Sequence, residues 1–198
     1  MPDRPVADPG LPAPERLRFS LNPFLTIAGE GWGDPTAPAV VLLHGGGQTR
    51  HSWGDTAHLL AQRGWYAVAL DARGHGESSW SPDGQYRVED LVDDLKEVVA
   101  RLAAKPALVG ASLGGITALL AEGESPVPFG SALVLVDTAP RVEPKGIERI
   151  FAFMSQHAAG FADLEEAAAA VAAYLPHRPR PSDGRRLAKN LRRETDGR

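Results

Sequence analysis

A serine framed by two glycines, Gly110-Ala111-Ser112-Leu113-Gly114, follows the apolar residues Ala107-Leu108-Val109 and runs into a helix-forming segment from Gly115 to Glu122. A hydroxyl in that setting can attack a carbonyl. A sharp strand-to-helix turn holds its serine in an unfavourable backbone conformation, and side chains at Gly110 and Gly114 would collide with the neighbouring strand and helix. The start of the helix supplies backbone N–H groups that can stabilise an oxyanion. The spacing points to serine-dependent acyl chemistry. A plainer reading stands beside it: a tight glycine turn whose serine only caps the helix.

Two further clusters bear on the choice. The continuous apolar run Ala39-Val40-Val41-Leu42-Leu43 reads as a strand buried on both faces, and it ends in His44-Gly45-Gly46-Gly47. A glycine cluster there lets the backbone approach a ligand and can supply the second half of an oxyanion hole, or it is simply a flexible loop. A second run, Trp65 to Leu70, ends in Asp71-Ala72-Arg73-Gly74-His75-Gly76-Glu77-Ser78. That charged, glycine-rich turn is expected to order the other two loops rather than to react.

These clusters need elements to place them. The pattern predicts strands over Leu17–Leu21 and Phe24–Ala28, then Ala39–Leu43, a helix over Ser52–Arg63, and a strand over Trp65–Leu70. Val88–Ala104 reads as an amphipathic helix, with Leu91, Leu95, Val98, Val99 and Leu102 on one face and Asp93, Asp94, Lys96 and Glu97 mostly outside it. The strand and helix around Ser112 follow, then a strand over Ala132–Val136. Strand and helix alternate from Ala39 to Val136, which implies an α/β fold with a doubly wound, mostly parallel sheet. All three clusters then fall at C-terminal strand ends, where such sheets gather ligands. Helices are predicted over Ile147–His157 and Leu164–Tyr174.

In this order, His44 to Gly47, Asp71 to Ser78 and Gly110 to Gly115 resemble the α/β-hydrolase family. The similarity is strongest to its esterase, haloperoxidase-like and carbon–carbon bond hydrolase branch, and runs from about Leu17 to the chain end. The resemblance implies Ser112 as nucleophile and the N–H groups of Gly46 and Leu113 as oxyanion hole. Serine at this position argues against the epoxide hydrolases and haloalkane dehalogenases, which carry aspartate there. The proline-rich 1–14 reads as disordered from its composition, and the resemblance implies a hydrolase core over 15–140 and a helical cap, with a basic tail, over 141–198. Phe151, Phe153, Met154, Phe161 and Tyr174 would line the pocket or pack the cap.

A serine needs a base, usually a histidine oriented by a carboxylate, and in this family the acid and then the histidine follow the serine. The resemblance puts them after two further strands, yet no apolar strand-like run follows Tyr174-Leu175. The isolated chain is therefore expected to be weak or inactive. Of six histidines, His44, His51, His58 and His75 precede the serine, His157 closes a helix, and His177 sits between prolines. His44 is expected to order the glycine loop. Asp137, directly after the Ala132–Val136 strand, is the one candidate acid, and reads equally well as a polar turn cap.

Composition narrows the rest. The 198 residues hold no cysteine, which excludes disulfides, thiolate metal sites and a cysteine nucleophile. No cofactor or metal is expected. No segment approaches the roughly 18 apolar residues of a membrane span, and Met1 to Pro14 carries no hydrophobic signal core, so a cytoplasmic protein without a membrane partner is expected. The formal charge of −4 argues against nucleic-acid binding. The basic run Arg178, Arg180, Arg185, Arg186, Lys189, Arg192 and Arg193 reads as a solvated helix face. The expected partner is a small acyl substrate. Without further strands, the outer edge of Ala132–Val136 would be unpaired, and self-association through it is expected. Three readings follow: a serine hydrolase of a small ester or related acyl compound, a non-catalytic binding protein on the same scaffold, or a chain completed in trans.

Overall fold

In the computed structural model, residues 13–140, 144–157, 159–174, 185–188 and 190–191 are described. The contacts divide the chain into two units, 1–140 and 141–198. Most of the expected disorder at 1–14, His177, and the basic residues Arg178, Arg180, Lys189, Arg192 and Arg193 lie outside the described residues.

Residues alternate between two faces along the central strands of the first unit. β1 (Glu15–Asn22) and β2 (Leu25–Trp32) form an antiparallel hairpin. β3 (Ala39–Leu43), β4 (Tyr66–Leu70), β5 (Ala107–Ala111) and β6 (Ala132–Val136) are parallel, and the six-stranded sheet runs β1-β2-β4-β3-β5-β6. Val41, Tyr66, Val68, Leu70 and Leu108 enter one core cluster, while Val40, Leu42, Ala67, Ala69 and Ala107 enter another. The period of two distributes one short apolar run over both layers. The first layer packs under α2 (Val88–Val99) and α3 (Leu113–Gly123), and the second under α1 (Gly54–Gln62), which follows a 3₁₀ turn at Arg50–Trp53. Alanines dominate beneath α1, so that helix sits close to the sheet.

Three features differ from the expected pattern. β2 continues through Gly29-Glu30-Gly31-Trp32, because those residues pair with Leu70 to Ala67 of β4, and the first three of them with β1 as well. Two ladders override the weak strand propensity of glycine. α2 stops at Val99, not at Ala104. The Arg101 and Leu102 N–H groups donate three residues back, to Val98 and Val99, which tightens the last turn. Pro106 then forces Lys105 out of helical conformation before β5. Asp94, placed mostly outside the apolar face, is buried, because Arg73 from the loop after β4 reaches it with two 2.7 Å hydrogen bonds.

β6 is the edge strand of the described sheet. α3 packs on its Leu133 and Leu135 side, while Ala132, Val134 and Val136 are exposed.

The second unit contains α4 (Pro144–Gln156), α5 (Leu164–Tyr174) and the short α6 (Arg185–Ala188). An aromatic stack ties α4 to α5. Tyr174 lies on Phe153 at 4.4 Å, and His157 meets Phe153 edge-on and Phe161 face-on at 5.6 and 4.6 Å. Arg149 caps the stack 5.2 Å above Tyr174. Ile150, Phe151 and Met154 are exposed.

Candidate active site

Ser112 joins β5 to α3 with φ +46°, ψ −112°, in the left-handed half of backbone space that a side-chain-bearing residue rarely occupies. Its neighbours hold it there. The Ser112 N–H donates to the Val136 carbonyl at 3.1 Å, closing the β5–β6 ladder, and its own carbonyl accepts the Ile116 N–H at 2.9 Å as the first bond of α3. Gly114 must be glycine: a β-carbon there would lie 2.5 Å from the Leu43 carbonyl oxygen and 2.7 Å from that of His44. That closeness lets the Gly114 N–H bond to the His44 carbonyl at 3.2 Å and locks the helix start to the loop after β3. Among the described residues no hydrogen bond reaches the Ser112 hydroxyl.

The glycine loop backs onto the serine. A β-carbon on Gly45 would stand 3.4 Å from that of Ser112. The backbone donors here are almost all spoken for. Gly45 N–H goes to Gln48 Oε1 at 3.1 Å, Gly47 N–H to His75 Nε2 at 3.3 Å, and Gly114 N–H to the His44 carbonyl. The Gly46 and Leu113 N–H groups have no acceptor among the described residues. One of these donors follows Gly45 in the glycine loop, the other directly follows the strained serine.

His44 is buried and fixed at both nitrogens. Nε2 accepts the Ala72 N–H at 3.0 Å, so the ring proton sits on Nδ1 and is donated to the Gly45 carbonyl at 2.8 Å. The ring therefore orders two loops. Burial pushes its pKa down from 6.5 to about 4, against the Gly45 carbonyl, which favours the cation. A pH dependence follows. Between pH 6.5 and about 4 the unfolded chain takes up a proton that the folded one refuses, so stability is whole above that window and falls as pH drops through it. At about 1.4 kcal/mol per unit, the loss approaches about 3 kcal/mol at pH 4. Urea unfolding at pH 7, 5.5 and 4.5 measures it, and His44→Gln should remove that part of the acid sensitivity.

The loop after β4 is built around a buried ion cluster that motif reading passed over. Asp71 is fully buried. It accepts the Arg50 N–H at 2.7 Å and the Glu77 N–H at 3.0 Å, and pairs with the Arg50 guanidinium. Arg50 also meets Glu77 at 2.9 Å and Glu30 at 3.3 Å. Ser78 donates to the Asp71 carbonyl at 2.7 Å and accepts the Ala28 N–H at 2.9 Å, tying the loop to β2. Asp71 to Ser78 is scaffold. Arg50, in an unremarkable stretch of sequence, had no local signal.

Asp137 is exposed at the C-terminal end of β6, with a left-handed φ of +53°. No histidine contacts it among the described residues. Of the five described histidines none is bonded to Ser112: His44 and His75 hold loops, His51 faces Glu30 at 3.7 Å, His58 meets Trp32 edge-on, and His157 belongs to the aromatic stack. Among the described residues no group of three or more His, Cys, Asp or Glu could hold a metal, and no helix is long and apolar enough to cross a membrane.

The profile of the alpha/beta hydrolase family matches residues 40–196. Esterase Rv0045c of Mycobacterium tuberculosis is 40% identical over 130 residues, covering 65% of this chain and 41% of the relative. The sn-1-specific diacylglycerol lipase ABHD11 of Mus musculus is 39% identical over 110 residues, covering 54% and 35%. Among solved structures, an alpha/beta hydrolase from Novosphingobium aromaticivorans superposes with a TM-score of 0.79 at 26% identity, over 93% of this chain and 66% of that one. The chain thus spans less than half the length of these two curated relatives.

Proposed function

This chain belongs to the alpha/beta hydrolase family, and on that premise we propose that it is a serine hydrolase of a small carboxylic ester or related acyl compound. Ser112 is the nucleophile. The Gly46 and Leu113 N–H groups receive the oxyanion, and Asp137 is the acid that this chain offers. The observation that carries the reading is the strained φ of Ser112, with the glycine loop against it and the Gly46 and Leu113 N–H groups without acceptors among the described residues. Attack of the hydroxyl on an ester carbonyl moves an electron pair onto the carbonyl oxygen, and two donors already in place stabilise it without reorganisation. The alcohol leaves with a proton, and water releases the acid from the acyl-serine.

That the two relatives are an esterase and a diacylglycerol lipase supports an ester as substrate. The test is a p-nitrophenyl ester series from acetate to decanoate. A rate above background, low because the isolated chain is expected to be weak, that falls as the acyl chain lengthens and is lost in Ser112→Ala supports the reading; background rates throughout together with no covalent labelling of Ser112 would overturn it.

A second reading has its own observation: no described histidine is bonded to Ser112. It makes the chain a binding scaffold, or one completed by a partner at the exposed β6 edge. Separately, self-association through the outer edge of β6 is expected, where Val134 and Val136 are 48% and 39% exposed. Sedimentation of wild type against Val134→Lys measures it. Loss of the dimer in the variant supports the edge contact, and a monomeric wild type sinks it.

A further inference from the structure

We propose that His75 is a positioning residue for the oxyanion hole, its neutral imidazole holding Gly47, and with it the adjoining Gly46 N–H, beside Ser112. The inference rests on the roles given above to Ser112 and Gly46. Three consecutive glycines have no side chains to fix their path, and Gly47 sits at φ +71°. The front of the loop is closed by its own bonds, Gly45 N–H to Gln48 Oε1 and Gln48 N–H to the Gly45 carbonyl, both 3.1 Å. Its far side is fixed from outside: among the described residues the Gly47 N–H has one acceptor, His75 Nε2.

The imidazole is itself held in the tautomer this needs. Nδ1 donates to the Arg73 carbonyl at 3.1 Å, which leaves the Nε2 lone pair for Gly47. The ring also lies against His44, centroids 5.0 Å apart, and His44 reaches back to Ala72 in the same turn as His75. Two imidazoles thus clasp the glycine loop to the loop after β4, one on each side of Gly45 and Gly46. The rigidity comes from the Asp71 cluster below, and from Arg73 bound to Asp94.

The variants are His75→Gln, whose amide oxygen can take the place of Nε2, and His75→Leu, which offers no acceptor. Displacing one oxyanion donor by about an ångström costs up to about 100-fold. His75→Leu should therefore lower kcat for p-nitrophenyl acetate by about 10- to 100-fold, with KM within about threefold of wild type. His75→Gln should restore kcat. The Gly47 amide resonance gives a reading independent of turnover: it should move in His75→Leu and return towards its wild-type position in His75→Gln. Equal kcat in wild type and His75→Leu, a Gln variant as impaired as the Leu variant, or a Gly47 amide unmoved in His75→Leu would each overturn the proposal. Activity persisting in Ser112→Ala would instead overturn the role of Ser112, and the Gly47 amide distinguishes the two failures.

Discussion

Ser112→Ala should abolish ester hydrolysis while leaving the fold intact. The nucleophile contributes the covalent route; in a complete triad its removal costs about 10⁶-fold in kcat, and in this chain, where no described histidine activates it, the loss is smaller and takes the rate down to what the oxyanion donors and binding leave. No hydrogen bond of the described structure depends on the hydroxyl, and the backbone bonds of residue 112, to Val136 and Ile116, survive in alanine. The urea midpoint should therefore stay within about 0.5 kcal/mol of wild type, as for a substitution that touches no structural feature. A variant that keeps more than a few per cent of the wild-type rate would remove Ser112 from the mechanism. One that loses activity together with stability would make the serine structural.

The second large effect is on stability. Arg50→Met should destabilise by about 3–5 kcal/mol, the usual cost of leaving a buried charge without its partner. Asp71 is fully buried and Arg50 is 2% exposed, so neither can turn to water. Removing the guanidinium leaves the Glu30, Asp71 and Glu77 carboxylates converging on an apolar side chain. Two backbone N–H bonds to Asp71 remain, but the loop they hold carries His75 and the Ala72 anchor of His44. Loss of function should accompany the loss of stability. Denaturant unfolding measures it, and a change below 1 kcal/mol would show that the cluster is dispensable.

Much of this was legible because it is local. β3, β5 and β6 are short apolar runs bounded by glycine, proline or charge, and β3 and β6 begin and end where the pattern says. The strained serine follows from Gly110 and Gly114, whose spacing has one structural use. What stayed hidden is made by partners distant in the chain. Gly29 to Trp32 are strand because β4 lies beside them. Asp94 is buried because Arg73, 21 residues earlier, brings it a guanidinium. Arg50 gives no sign in sequence of the three carboxylates it holds. His44 could be expected to order its loop, but the clasp it forms with His75 exists only once β3 and β4 are neighbours.

The central claim is that Ser112 is the nucleophile, and active-site labelling tests it most directly. The intact protein is treated with a fluorophosphonate, digested, and the adduct mapped by mass spectrometry. A single phosphonyl group on Ser112, formed in the folded protein and lost on prior unfolding in urea, is the expected result. No adduct at Ser112, or equal labelling of the Ser112→Ala variant, would contradict the claim.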